Sequence, residues 1–139
     1  MVLDFQYDEL LTPDAEIVNM RADGALYGYD ISIRYPSYRG TFLSCIESLE
    51  VEVDGENILP ADLRFQLNGK EFIVEQLGEL FKEHWYVLDT AHLLILNNDG
   101  LSKGKHKVKV KMIHRIPYTG YFGQYLVLDS VCEKTLMCK

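Results

Sequence analysis

Histidines and carboxylates are the residues with which this chain could move protons or hold an ion, and their spacing limits what they can do. Four histidines occur, at His84, His92, His106 and His114. A metal site or a general base needs such rings brought close to one another or to a carboxylate. His106 and His114 share one alternating stretch, where an extended chain holds them about 26 Å apart at roughly 3.3 Å per residue, too far to share an ion. No His-x-His or His-Glu-x-x-His spacing occurs. Glu50 and Glu52 would stand about 6.6 Å apart on one strand face, which overlaps the reach of a glycosidase carboxylate pair. Alternating outward glutamates are equally what any half-exposed strand shows. No nucleophile elbow, phosphate loop or Cys-His pairing accompanies them. By its own residues the chain reads as a binding or supporting module.

Two aromatic loops are the other candidates. Tyr35, Pro36, Tyr38 and Arg39 form one, and Tyr118, Tyr121, Phe122 and Tyr125 fall in the other. These residue types dominate protein interfaces when they leave a core, and they also stack on sugar rings. Rings that fold back to close the ends of a sheet structure are the competing reading. The sole tryptophan, Trp85, reads as core.

The elements that must position these residues are strands. From position 105 to 114 the chain alternates strictly, with Lys105, Lys107, Lys109 and Lys111 on one face and His106, Val108, Val110, Met112 and His114 on the other. A helix would scatter the lysines, whereas a strand gives one solvated face and one buried row. Further strands are expected over Ala15 to Arg21, Ala25 to Tyr35, Ile46 to Val53, Leu63 to Leu67, Lys70 to Val74, Trp85 to Leu88, His92 to Asn97 and Tyr125 to Val131, with a short charged tail after the last. Asp23-Gly24, Asp54-Gly55, Asn68-Gly69 and Asn98-Asp99-Gly100 are the turns between them. Glu50 and Glu52 suit the lysine row as cross-strand partners if their strands are neighbours. Glu75 to Glu83 carries Leu77, Leu80 and Phe81 at helical spacing and predicts one short helix. The pattern predicts an all-β fold, an antiparallel two-sheet β-sandwich, with a closed barrel as the alternative.

Size and charge bound the rest. At 139 residues the chain is expected to be a single domain, 1–139, able to bury a core without metal or disulfide staples. The apolar fraction of 47% excludes disorder, and a net charge of −7 repels phosphate backbones, so no nucleic-acid partner is expected. No apolar run is long enough to span a membrane. The first residues carry acids where a signal peptide carries bases, which predicts a cytoplasmic chain. Three cysteines, Cys45, Cys132 and Cys138, lack metal-ligand spacing and read as reduced thiols.

One ordered set of residues resembles a known family. Tyr35-Pro36-Ser37-Tyr38-Arg39-Gly40, then Leu43-Ser44, the strand Ile46 to Val53 ending in Asp54-Gly55, Phe65-Gln66-Leu67-Asn68-Gly69, Trp85, Gly100-Leu101 and Gly104-Lys105-His106 are similar to the small β subunit of bacterial C-glycoside deglycosidases. The similarity runs from about Gly24 to Met112. The resemblance implies an obligate partner, a larger α subunit built on a sugar-isomerase-like (β/α)8 barrel that holds the catalytic groups and a divalent metal, Mn2+. It implies a lyase reaction on C-glycosides, flavonoid-type, already oxidised at the sugar 3-position: the carbonyl acidifies the neighbouring C–H, a base takes that proton, and the aglycone leaves by elimination across the C–C bond. The metal would polarise the carbonyl oxygen. No catalytic residue and no cofactor is carried over to this chain, which is expected to be inactive alone. The surface of Tyr35, Pro36, Tyr38, Arg39, Tyr118, Tyr121 and Phe122 is then expected to dock the α subunit. A free-standing carbohydrate-binding sandwich would instead bind sugar without a partner, and an autonomous small enzyme would turn over alone.

Overall fold

The alternation of lysine with apolar residues produces one long central strand. In the computed structural model, which describes residues 10–12, 14–37, 39–116 and 126–139, the strands in chain order are β1 (Ile17–Ala22), β2 (Ala25–Arg34), β3 (Thr41–Phe42), β4 (Ile46–Val53), β5 (Glu56–Asn57), β6 (Leu63–Leu67), β7 (Lys70–Ile73), β8 (His84–Trp85), β9 (Thr90–Leu96), β10 (Gly104–Ile116) and β11 (Leu126–Cys138). On β10 the side chains of His106, Val108, Val110, Met112, His114 and Ile116 are buried. The four lysines take the opposite face, as the period of two requires.

That outer face is a charge ladder. β4 runs antiparallel beside β10 with Lys109 opposite Glu52 and Lys111 opposite Glu50, the pairing the alternation suggested. On the other side β11 sets Glu133 opposite Lys109. Diagonal ion pairs join Lys107 to Glu133 at 2.9 Å and Lys111 to Asp129 at 3.8 Å. The lysines therefore lie between two acidic rows, which fixes register more than it adds stability.

β11 corrects the expected charged tail. The strand continues from Leu126 to Cys138 because its alternation never stops: Leu136 and Cys138 are buried, while Glu133, Thr135 and Met137 face outward. Glu133 pairs with Lys107, and Lys134 Nζ donates to the Leu11 carbonyl at 2.7 Å.

The hydrogen-bonded order is β5-β4-β10-β11-β1-β2-β9-β6-β7, with β3 and β8 forming a separate two-stranded sheet. β11 and β1 meet only through a parallel pairing of Ile17 with Cys138. At that joint the large sheet folds over, and its two halves become the layers of a sandwich. Leu49, Val51, Val108, Val110 and Met112 from one half pack in a single cluster with Ile31, Ile33, Phe65, Leu93 and Ile95 from the other. Each such side chain contributes roughly 1.5–3 kcal/mol by leaving water. Among the described residues the fold is thus an all-β sandwich, the first of the two architectures the strand pattern predicted.

Three tight turns set the hairpins. Asp23-Gly24, Asp54-Gly55 and Asn68-Gly69 each have positive φ at both residues, the requirement of the type I′ turn that matches strand twist. Two local expectations differ. The short helix is a 3-10 turn, Val74–Glu79, in which Leu77 alone is buried. Nothing supports a longer helix, since Phe81 stands 67% exposed. The strand expected from Trp85 to Leu88 ends at Trp85, where a turn closed by Asp89 N–H on the Tyr86 carbonyl begins.

Candidate functional site

Among the described residues, the chemistry-bearing side chains resolve into internal joints and an exposed aromatic surface. His114 is fully buried between Tyr35 Oη, 2.7 Å from Nδ1, and Ser130 Oγ, 3.0 Å from Nε2. A neutral imidazole satisfies both, accepting at one nitrogen and donating at the other. Burial pushes its pKa down to about 4, so the ring is uncharged at neutral pH. Tyr35 also packs against Trp85 at 5.3 Å between ring centroids.

Eight residues earlier on the same face, His106 is tuned the other way. Its Nδ1 lies 2.7 Å from Asp54 Oδ2 and its Nε2 lies 2.7 Å from the Ser102 carbonyl oxygen. Both nitrogens face acceptors, so the protonated ring is favoured: the bond to Asp54, then the bond to Ser102, raise its pKa. Asp54 in turn accepts the Lys107 backbone N–H at 2.9 Å. Its carboxyl is held below the usual range, first by His106 and then by that amide. The Asp54-Gly55 turn is thereby pinned to the start of β10.

The remaining candidates are dispersed. His92 pairs with Asp30 at 3.0 Å across β2 and β9. Glu50 and Glu52 face the lysine row. Among the described residues no group of three or more His, Cys, Asp or Glu side chains is placed to hold a metal ion, and Cys45, Cys132 and Cys138 are unpaired thiols. An open cleft of about 420 Å³ at one end of the sandwich is lined by Tyr29, Asp54, Glu56, Asp62 and Asn97 among others. Burial, reinforced by Asp54 and Glu56, pushes the Tyr29 phenol up to about 12.

Of the aromatic-loop residues expected to dock a partner, the structure describes Tyr35, Pro36 and Arg39. Tyr35 is 2% exposed and Pro36 is buried, so neither presents a contact surface; Tyr35 is a core ring that supports the loop from below. An aromatic at the end of an alternating strand carries no mark of which way the loop turns it. Arg39 is exposed. Tyr38, Tyr118, Tyr121, Phe122 and Tyr125 lie outside the described residues.

A surface that the sequence reading passed over lies beside Arg39. β3 and β8 pair Thr41 with Trp85 and Phe42 with His84. Trp85 turns inward, fully buried, so its neighbours turn outward: Phe42 packs edge-on against His84 at 4.9 Å, and His84 against Tyr86 at 4.3 Å. Phe42 and Tyr86 remain 41% and 62% exposed. The residue at position 40 must be glycine here, because a Cβ would collide with the Trp85 carbonyl oxygen and the His84 ring. The signal that could have found this patch is His84-Trp85-Tyr86, in which one buried ring forces two others out.

Among known proteins the chain is similar to beta subunits. Residues 7–118 match the family model described as C-glycoside deglycosidase beta subunit. A "3'-dehydrocarminate deglycosidase beta subunit" of Microbacterium sp is 35% identical over 112 residues, covering 81% of this chain and 84% of that one. A "C-glycoside deglycosidase beta subunit" of Eubacterium cellulosolvens is 32% identical over 87 residues, 63% of this chain and only 59% of the relative. Another of that name, from Microbacterium trichothecenolyticum, is 32% identical over 99 residues, 71% of this chain and 73% of the relative.

Proposed function

The chain belongs to the C-glycoside deglycosidase beta-subunit family, and from that membership we propose that it is the small, non-catalytic subunit of a heteromeric enzyme that cleaves the C–C bond of 3-oxo-C-glycosides. In this reading a larger, barrel-shaped subunit binds most of the substrate and supplies the base. That base takes the proton beside the 3-carbonyl, and the aglycone then leaves by elimination. In this reading the divalent metal belongs to the larger subunit, as the family resemblance implies. The complex is placed in the cytoplasm.

One observation carries the reading. Both histidines of β10 have their two ring nitrogens committed to bonds within the chain, His114 to Tyr35 and Ser130 and His106 to Asp54 and Ser102. A general base must have a ring nitrogen free to take a substrate proton, and both nitrogens of each of these two rings are already engaged. Their role is to lock strands, which is what a scaffold needs.

The test is reconstitution. The chain alone, the larger subunit alone and the mixture are assayed on a 3-oxo-C-glycoside for release of aglycone. Activity is expected only in the mixture. Cleavage by the isolated chain, or full activity of the larger subunit without it, would overturn the proposal.

A further inference from the structure

Among the exposed apolar side chains of the described residues, two groups have different surroundings. On the outer face of β11, Val127, Val131 and Met137 are 48%, 51% and 40% exposed. They alternate with Asp129 and Glu133, which pair with lysines of β10. Such a mixed face is well solvated. Around the β3–β8 sheet the neighbours are rings instead. Phe42, His84 and Tyr86 touch in series. Leu88, 76% exposed, lies in the turn that follows, and Phe81, 67% exposed, lies in the segment whose Leu80 and Glu83 carbonyls accept the amides of Ser44 and Leu43.

We propose that this patch, Phe42, Phe81, His84, Tyr86 and Leu88, is the seat of the larger subunit, an inference that rests on the subunit reading above. The rings already pack on one another before any partner arrives, Phe42 and Tyr86 against His84, with Gly40 close to the His84 ring. Rings fixed before binding lose little freedom on docking, which is what makes aromatic anchors dominate interfaces. In the same small sheet His84 Nδ1 is buried with no hydrogen-bond partner among the described residues. Elsewhere in a native fold such an atom is paired, so this corner is incomplete among the described residues. A net charge of −7 on each copy opposes self-association and favours a different polypeptide as the occupant. The complementary surface is an apolar face of that subunit.

The experiment measures association of the full chain with the purified larger subunit by calorimetry, for wild type, Tyr86→Ser, Leu88→Asp and the control pair Val127→Ser plus Val131→Ser. Trp85 emission and circular dichroism report folding. Tyr86→Ser and Leu88→Asp are each expected to weaken binding by roughly 30-fold or more, with the control within about 3-fold of wild type. Leu88 is so exposed that its replacement tests the surface even if Tyr86→Ser disturbs the fold. Binding by Leu88→Asp and folded Tyr86→Ser within about 3-fold of wild type would overturn the proposal, as would an equal loss in the control. Dimerisation of the isolated chain that Tyr86→Ser abolishes would assign the patch to a second copy and overturn it too. Wild type that fails to associate at all would instead sink the subunit reading, a result distinct from either.

Discussion

His106 Nδ1 and Asp54 Oδ2 stand 2.7 Å apart and join the Asp54-Gly55 turn to the first buried position of β10. The Ser102 carbonyl holds the other ring nitrogen, so the bond is strongest when the ring is charged. The folded pKa of His106 is raised above 6.5. Its stabilisation is therefore complete below about pH 6.5 and is lost as pH rises through the raised value. Asp54, lowered from 3.8, contributes above that value and loses its contribution as pH falls through the depressed one. The expected outcome is a thermal midpoint that declines on the alkaline side in wild type. His106→Gln should show a lower midpoint at pH 6 and a flatter alkaline limb. Equal alkaline limbs in scans from pH 6 to 9 would contradict this role.

His114 predicts the opposite slope. Its folded pKa is about 4 against 6.5 for the free ring, so the unfolded chain binds the extra proton between those values. Stability should fall as pH drops from 6.5 to 4, by about 3 kcal/mol in order of magnitude, and level off below. Urea denaturation at pH 7.0, 5.5 and 4.5 measures it. His114→Gln retains hydrogen-bonding capacity without the titration, and should lose most of that acid-side slope although it is less stable than wild type at pH 7.

The strands were legible wherever one face is core and the other water. β4 and β6 match their expected bounds because Leu49, Val51 and Val53, and Leu63, Phe65 and Leu67, alternate without interruption between clear turns. The Asp54–His106 joint was not legible, since two residues 52 apart in the chain meet only through strand pairing. Tyr35 was misplaced for a related reason: its partner His114 comes from β10, 79 residues away, and only the folded register shows that the ring turns inward. The patch around Tyr86 was missed because exposure depends on where Trp85 goes, not on any period.

The corrected course of β11 makes deletion informative. Removing residues 133–139 takes away Leu136 and Cys138 from the core, together with the Lys107–Glu133 pair and the parallel contact of Cys138 with Ile17. A loose tail could go without effect. A strand at the joint between the two halves cannot, because its loss exposes the Val108 end of β10. The expected result is a broad, non-cooperative urea transition or insoluble protein, checked by circular dichroism and Trp85 emission on the truncated chain beside wild type.

Gly40→Ala isolates the packing that holds the aromatic patch in place. An added Cβ meets the Trp85 carbonyl oxygen and the His84 ring, and backbone cannot yield as a flexible side-chain tip can. Overpacking of this kind costs about 1–3 kcal/mol. Trp85 is the sole tryptophan and is fully buried, so its emission reports the disturbance directly. The variant is expected to show a red-shifted folded-state emission and a lower denaturation midpoint. Gly78→Ala, where nothing lies within 4 Å of the new methyl, should show neither change. If Gly40→Ala unfolds at the wild-type midpoint with unchanged emission, the 39–40 segment does not press on β8, and the rings of Phe42 and Tyr86 are not held in advance of binding.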